Sequence, residues 1–198
     1  IRGDLTVYRN GIDDYIFLTD TGNQAPNGLP IFVHEQADAT LTGVEAEIAV
    51  DLTTDWSLRF VLDLIDTENE ESGDRLPLTP ANELLTELTW QPASFLGLRE
   101  PYARASLRYA GAQDAAPGEP FQQFDRNPVF GSASTDSYFL VNFAAGASLP
   151  GPGKRDIRVN LELRNAFDES YRDFLNTYKA YALNPGRDLR LTLQIPLG

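Results

Sequence analysis

Apolar and polar residues alternate along most of this chain with the period of two that marks a strand with two unlike faces. In residues 39–51, Val44, Ala46, Ile48 and Val50 fall on one side and Glu45, Glu47 and Asp51 on the other. In residues 56–66, Trp56, Leu58, Phe60, Leu62 and Leu64 oppose Ser57, Arg59 and Asp63. The same reading predicts strands over 3–18, with a kink at Asn10-Gly11, and over 83–91, 102–111, 137–149, 156–165 and 187–195. Eight strands result, and the fold class is all-β and antiparallel.

Connection lengths alternate as regularly as the side chains do. Residues 53–55, 92–100 and 150–155 are short connections, whereas 19–38, 67–82, 112–136 and 166–186 are long. Outer-membrane barrels sort their loops this way, with short periplasmic turns and long extracellular loops. A soluble sandwich has no reason to do so, but it would also expose one polar face to water. The barrel reading sends the rows with Arg104 and Arg108, and with Arg158, Glu162 and Arg164, into a wet lumen. Trp56 and Trp90 then flank short turns, at the level of a periplasmic aromatic girdle. On this reading the first strand rises toward the outside and the last descends to the periplasm.

Composition narrows the choice. The net charge of -13 over 198 residues argues against a nucleic-acid partner. With no cysteine, disulfide frameworks and thiolate metal sites are excluded. No apolar run approaches the length of a transmembrane helix, which leaves a barrel open because alternation hides it from hydropathy averages. No Ser/His/Asp set, paired-carboxylate site or phosphate-binding glycine loop stands out, so no enzyme and no cofactor is expected. Methionine is absent and the chain begins at Ile1, which reads as a cut inside a longer protein lacking its signal peptide.

The most specific motifs lie near the end. Asn165-Ala166-Phe167-Asp168-Glu169-Ser170-Tyr171 precedes Tyr178-Lys179-Ala180-Tyr181, and Asn184-Pro185-Gly186-Arg187-Asp188 opens the last strand. Earlier, Tyr15-Ile16 follows Asp13-Asp14, and Gly43-Val44-Glu45-Ala46-Glu47 lies in the second strand. In order and spacing these resemble the end of TonB-dependent outer-membrane receptors, with Ala166 where Leu is commoner. The resemblance covers residues 1–198 and implies the C-terminal part of a β-barrel domain of about 22 strands. It also implies a plug domain, absent from this chain, that meets a TonB energy-transducing complex. Outer-membrane lipid would surround the barrel of a Gram-negative bacterium, and the cargo would be a scarce nutrient such as a metal ion or ferric siderophore. Gly43, Glu45, Asn165, Phe167, Asp168, Tyr171, Pro185, Gly186 and Arg187 are expected to be architectural. Pro185 fixes φ and Gly186 permits a tight turn, while Gly43 relieves crowding or marks a bulge. Such barrels usually finish on an aromatic residue, whereas this sequence ends Ile195-Pro196-Leu197-Gly198.

Three features bear on cargo. With Asp38 left aside, the four long connections hold thirteen acidic residues against four lysines and arginines, a field that draws cations toward the mouth. The single histidine, His34, stands beside Glu35 and near Asp38, a candidate metal set; the stretch Phe32-Val33-His34-Glu35-Gln36-Ala37-Asp38-Ala39 resembles one found in a branch of the family that includes zinc-uptake receptors. Tyr15, Phe17, Phe121, Phe124, Tyr178 and Tyr181 are candidates for holding an aromatic siderophore. Two rivals remain: a free-standing eight-stranded barrel with an adhesive or structural role, in which the first strand pairs with the last, and a soluble β domain.

Overall fold

The computed structural model describes residues 1–114, 134–151, 156–176, 178–179 and 181–195. Phe121, Phe124 and the terminal 196–198 lie outside them. The described residues form one nine-stranded antiparallel sheet. Its strands are β1 (Arg2–Gln24), β2 (Pro30–Asp51), β3 (Trp56–Asn69), β4 (Glu83–Trp90), β5 (Ser94–Phe95), β6 (Leu98–Ala110), β7 (Tyr138–Pro150), β8 (Asp156–Arg164) and β9 (Asp188–Gln194). Neighbours in sequence are neighbours in space, except that the two-residue β5 pairs only with β6. Six of the eight long strands fall within a few residues of where alternation predicts them, and β1 and β2 run further.

Register keeps the two faces apart across the whole sheet. Ile48 opposes Phe60, Leu58 opposes Leu88, Leu107 opposes Val141 and Leu161 opposes Leu191. On the other side Arg59 opposes Glu87, Ser106 opposes Asn142 and Glu162 opposes Arg190. A slip of one residue would mix the two sets, so the pattern itself pins the register. The apolar face is exposed: Leu5, Phe60, Phe143, Leu161 and Leu191 lack cover. In water so wide an apolar face would drive association; in hydrocarbon it is solvated. From Trp56 to Leu64 it runs about 26 Å along β3 at ~3.3 Å per residue, a length suited to a tilted membrane strand. Trp56, Trp90 and Phe95 close it at the short-turn end, with ring centroids 6.3 and 5.0 Å apart.

No second sheet covers either face among the described residues, as a sandwich core would require. The one buried apolar cluster, Ala110, Tyr138 and Leu140 with Tyr171 against it, is small and sits at the long-loop end. Among the described residues the ladder is also open: β1 pairs only with β2 and β9 only with β8. The pairing of first and last strands that a free-standing eight-stranded barrel needs does not occur.

Two expectations change. Pairing runs unbroken through Asn10-Gly11, so no kink lies there; the shift comes between Ile12 and Tyr15. And residues 19–38 are not a loop. β1 and β2 continue as a hairpin whose register holds through Asp20↔Phe32 and resumes at Gln24↔Pro30. Polar residues such as Thr19, Thr21 and Asn23 read as a connection because a hairpin standing in water needs no apolar face.

Candidate functional site

The polar face carries the chemistry. β2, β3, β4 and β6 contribute one residue each to a line of alternating charge. Arg59 makes paired hydrogen bonds of 2.8 Å to Glu47, and Arg59 and Arg104 flank Glu87, with Arg104 at 3.4 Å. Glu47, Arg59 and Arg104 are nearly half exposed and Glu87 less so, and each pair contributes roughly 1 kcal/mol or less. Their effect is to keep the wall wet and nearly neutral. Arg2, Asp4, Glu47, Arg59, Glu87 and Thr89 line a cleft of about 420 Å³ on this wall. A second, of about 570 Å³, is lined by Glu100, Tyr102, Arg158, Asn160 and Glu162, where Arg158 meets Glu100 at 3.1 Å.

Two glycines let tyrosine rings lie flat on this face. A Cβ at Gly43 would fall inside the ring of Tyr8, its direct cross-strand partner. Gly43 thus relieves crowding and marks no bulge; Glu45, two residues on, points the same way between Thr6 and Asp63. Gly146 does the same for Tyr102, whose hydroxyl donates to Asn160 at 3.2 Å. Sequence reading missed Gly146, although the alternation of β7 already put it on the lumen side.

The residues between β8 and β9 form a strap that folds back onto the polar face. Asn165 begins it in a left-handed conformation, φ 45°, with its amide exchanging two 2.8 Å hydrogen bonds with the Glu169 backbone. Asp168, φ 60°, accepts the Arg187 N–H at 2.7 Å, tying the start of the strap to its end. Gly186 is not in a left-handed turn. It is glycine because Asp168 Oδ1 would lie 2.6 Å from any Cβ there, which corrects the turn expected at Pro185-Gly186. Tyr171 packs at a tilt against Tyr138, 4.6 Å between centroids, whereas Phe167 is 77 % exposed. Burial pushes the Tyr171 hydroxyl's pKa upward.

Asp173 anchors the middle of the strap and was not singled out from sequence. It accepts the Tyr138 hydroxyl at 3.1 Å and lies 3.4 Å from Arg108, which is also bonded to Glu83. Lys179, 1 % exposed, donates to the Phe174 carbonyl at 2.7 Å with its ammonium 3.5 Å from that ring's centroid. Burial lowers its pKa to about 8, against the opposing pull of Asp173. Tyr178 and Tyr181 on the same strap are exposed.

His34, Glu35 and Asp38 do not converge. All three lie on β2, where alternation puts His34 and Asp38 on one face and Glu35 on the other. Four residues of strand separate His34 from Asp38, about 13 Å. Asp38 instead accepts the Asp14 N–H at 3.0 Å, and Glu35 accepts the Thr19 hydroxyl at 3.2 Å. Among the described residues no group of three or more His, Cys, Asp or Glu is arranged to hold a metal.

Several solved structures share the fold. Copper transporter OprC matches with a TM-score of 0.74 and 16% identity, over 94% of this chain and 27% of its own. The ferric enterobactin receptor PfeA of Pseudomonas aeruginosa matches at 0.65 and 19%, over 96% and 28%. The ferric-catecholate import receptor Fiu of E. coli K12 matches at 0.59 and 17%, over 96% and 24%. The chain thus spans about a quarter of the length of these relatives, at identities that establish fold alone. No curated protein matches it. The family model for the TonB dependent receptor-like β-barrel matches residues 1–166. This chain, with its open ladder, apolar outer face and charged inner face, belongs to the TonB-dependent receptor β-barrel family.

Proposed function

We propose that the chain is the C-terminal wall of a larger, plugged barrel of about 22 strands that imports a scarce nutrient across the outer membrane of a Gram-negative bacterium. The open ladder carries the reading: β1 and β9 each present an unpaired edge, which hydrocarbon does not tolerate. Further strands of the same protein therefore complete the wall. A preceding plug domain fills the lumen against the charged row of Glu47, Arg59, Glu87 and Arg104, and passes energy from the TonB complex. The cargo is a metal ion or a metal chelate, in keeping with the copper and ferric-siderophore relatives. It is met at the long-loop end, where the hairpin and the strap stand. His34 stays outside the barrel on this reading and contributes no ligand shared with Glu35.

The test is uptake by the full-length protein. Cells carrying the gene accumulate radiolabelled iron, copper or zinc, presented free or chelated, and lose that accumulation when TonB is removed. Equal uptake with and without the gene, across all these cargoes, contradicts the proposal.

A further inference from the structure

β1 carries one more residue than β2 between Ile12 and Tyr15, so Asp13 and Asp14 together face Asp38. Asp14 takes φ 54°, a left-handed conformation strained for a non-glycine residue. Asp38 braces it by accepting its N–H. Such bulges re-aim side chains, and here the change is one of parity. Before the bulge the inward residues of β1 are Arg2, Asp4, Thr6 and Tyr8; after it they are Tyr15, Phe17 and Thr19, opposite Ala37, Glu35 and Val33. Without the extra residue Ile16 and Leu18 would face inward, and both aromatic rings outward.

The rings so turned make a surface. Tyr15 and Phe17 are half-buried, with planes 18° apart and centroids 6.5 Å apart. Glu35 stands directly across from Phe17, its carboxylate held by Thr19. Residues 13–38 contain five acidic side chains and no lysine or arginine. Ring faces attract cations and a neighbouring carboxylate adds to that attraction, whereas an anionic ligand is repelled.

We propose that Tyr15, Phe17 and Glu35 form a docking platform for a flat, positively charged aromatic ligand at the mouth of the barrel. The bulge at Asp13-Asp14 exists to aim it. The platform rests on the uptake reading for its purpose, since a ligand held there is a ligand on its way in. Its chemistry stands on the hairpin alone.

The experiment is a fluorescence-polarisation titration of the purified full-length protein in neutral detergent. The probes are a planar acridinium cation and a sulfonated planar anion of similar size. The cation binds at least about ten-fold more tightly than the anion. Replacing both rings, Tyr15→Leu with Phe17→Leu, weakens cation binding about ten-fold, and Glu35→Gln weakens it several-fold with a shallower salt dependence. Glu71→Gln with Asp74→Asn, acids on another loop, leaves it unchanged. Equal binding of the two probes overturns the proposal. So does undiminished binding by the double leucine variant when its barrel still resists detergent unfolding below boiling. An equal loss in the Glu71/Asp74 variant also overturns it, because a diffuse negative field then suffices. Normal probe binding without TonB-dependent uptake would sink the transport reading and spare the platform; uptake without probe binding would do the reverse.

Discussion

The β1–β2 hairpin and the 165–187 strap rise from the same end of the sheet and are built by opposite means. The hairpin prolongs the ladder: its backbone groups are satisfied by a partner strand, and most of its side chains face solvent. The strap has no strand among its described residues. Its main chain makes only local turns and a few bonds such as Asn184 N–H to Tyr171 O, and side chains tie these together, with Asn165 on Glu169, Asp168 on Arg187, Asn184 on Asp173 and Arg172 on the Lys179 carbonyl. A ladder tolerates substitution, because its bonds run through main chain common to every residue. A strap held by particular carboxylates and amides does not, because each lost side chain leaves a backbone or hydroxyl group unsatisfied. The hairpin is therefore the region free to vary in what it presents, and the strap the region that fixes the rim.

The largest expected effect is at Asp173. Asp173→Ala strands the Tyr138 hydroxyl in the buried cluster and removes one partner of Arg108. Local opening of the strap becomes easier by about 1–3 kcal/mol, seen as roughly five- to hundred-fold faster amide exchange over the strap with the hairpin unchanged. Equal acceleration in both regions would break the contrast drawn between them.

Gly186→Ala comes next. The new Cβ displaces the Asp168 carboxylate, a flexible end, at the cost of its bond to Arg187 N–H, about 1 kcal/mol. Asp168→Ala loses the same bond without the clash, so the double variant is no less stable than Asp168→Ala alone. Additive losses would show that Gly186 serves some other need.

The third effect is a pH dependence confined to the strap. Lys179 has a pKa of about 8 when buried, against 10.5 when exposed. Between those values the opened strap binds more protons than the closed one, so closing becomes more favourable as pH rises from about 8 toward 10.5. Exchange corrected for its intrinsic rate slows over that window, and Lys179→Met abolishes the slope. The smallest effect is in the hairpin: Asp38→Ala removes the brace on Asp14, an exposed bond worth under about 1 kcal/mol, and speeds local exchange by a few-fold.

What could be read in advance follows the same division. Strand alternation made β3, β4, β6, β7, β8 and β9 legible to within a few residues, because Leu58, Phe60 and Leu62 must face lipid while Arg59 and Asp63 must not. The upper hairpin was illegible for the complementary reason: beyond the membrane neither face is obliged to be apolar, and the bulge at Asp13-Asp14 resets parity partway along β1. The candidate metal set His34, Glu35 and Asp38 was read on a loop, whereas they lie on a strand that puts Glu35 on the face opposite His34 and Asp38. Motif resemblance drew attention to Asp168, Gly186 and Arg187 but not to their physics, which is a carboxylate seated where a Cβ would be. Asp173 lay outside every motif and Lys179 was noted only as part of Tyr178-Lys179-Ala180-Tyr181, because a buried ion in an irregular segment declares itself only through its neighbours.

The central claim is that a single sheet separates hydrocarbon from a wet lumen. It is tested most directly by single cysteines placed at 57 through 64 of β3 in the full-length protein in lipid bilayers. The chain itself contributes no cysteine background. The account predicts strict alternation: positions 58, 60, 62 and 64 reach a lipid-dissolved spin relaxant, and 57, 59, 61 and 63 are shielded from it. Uniform access to a water-soluble relaxant along the whole run, with no period of two, would contradict it.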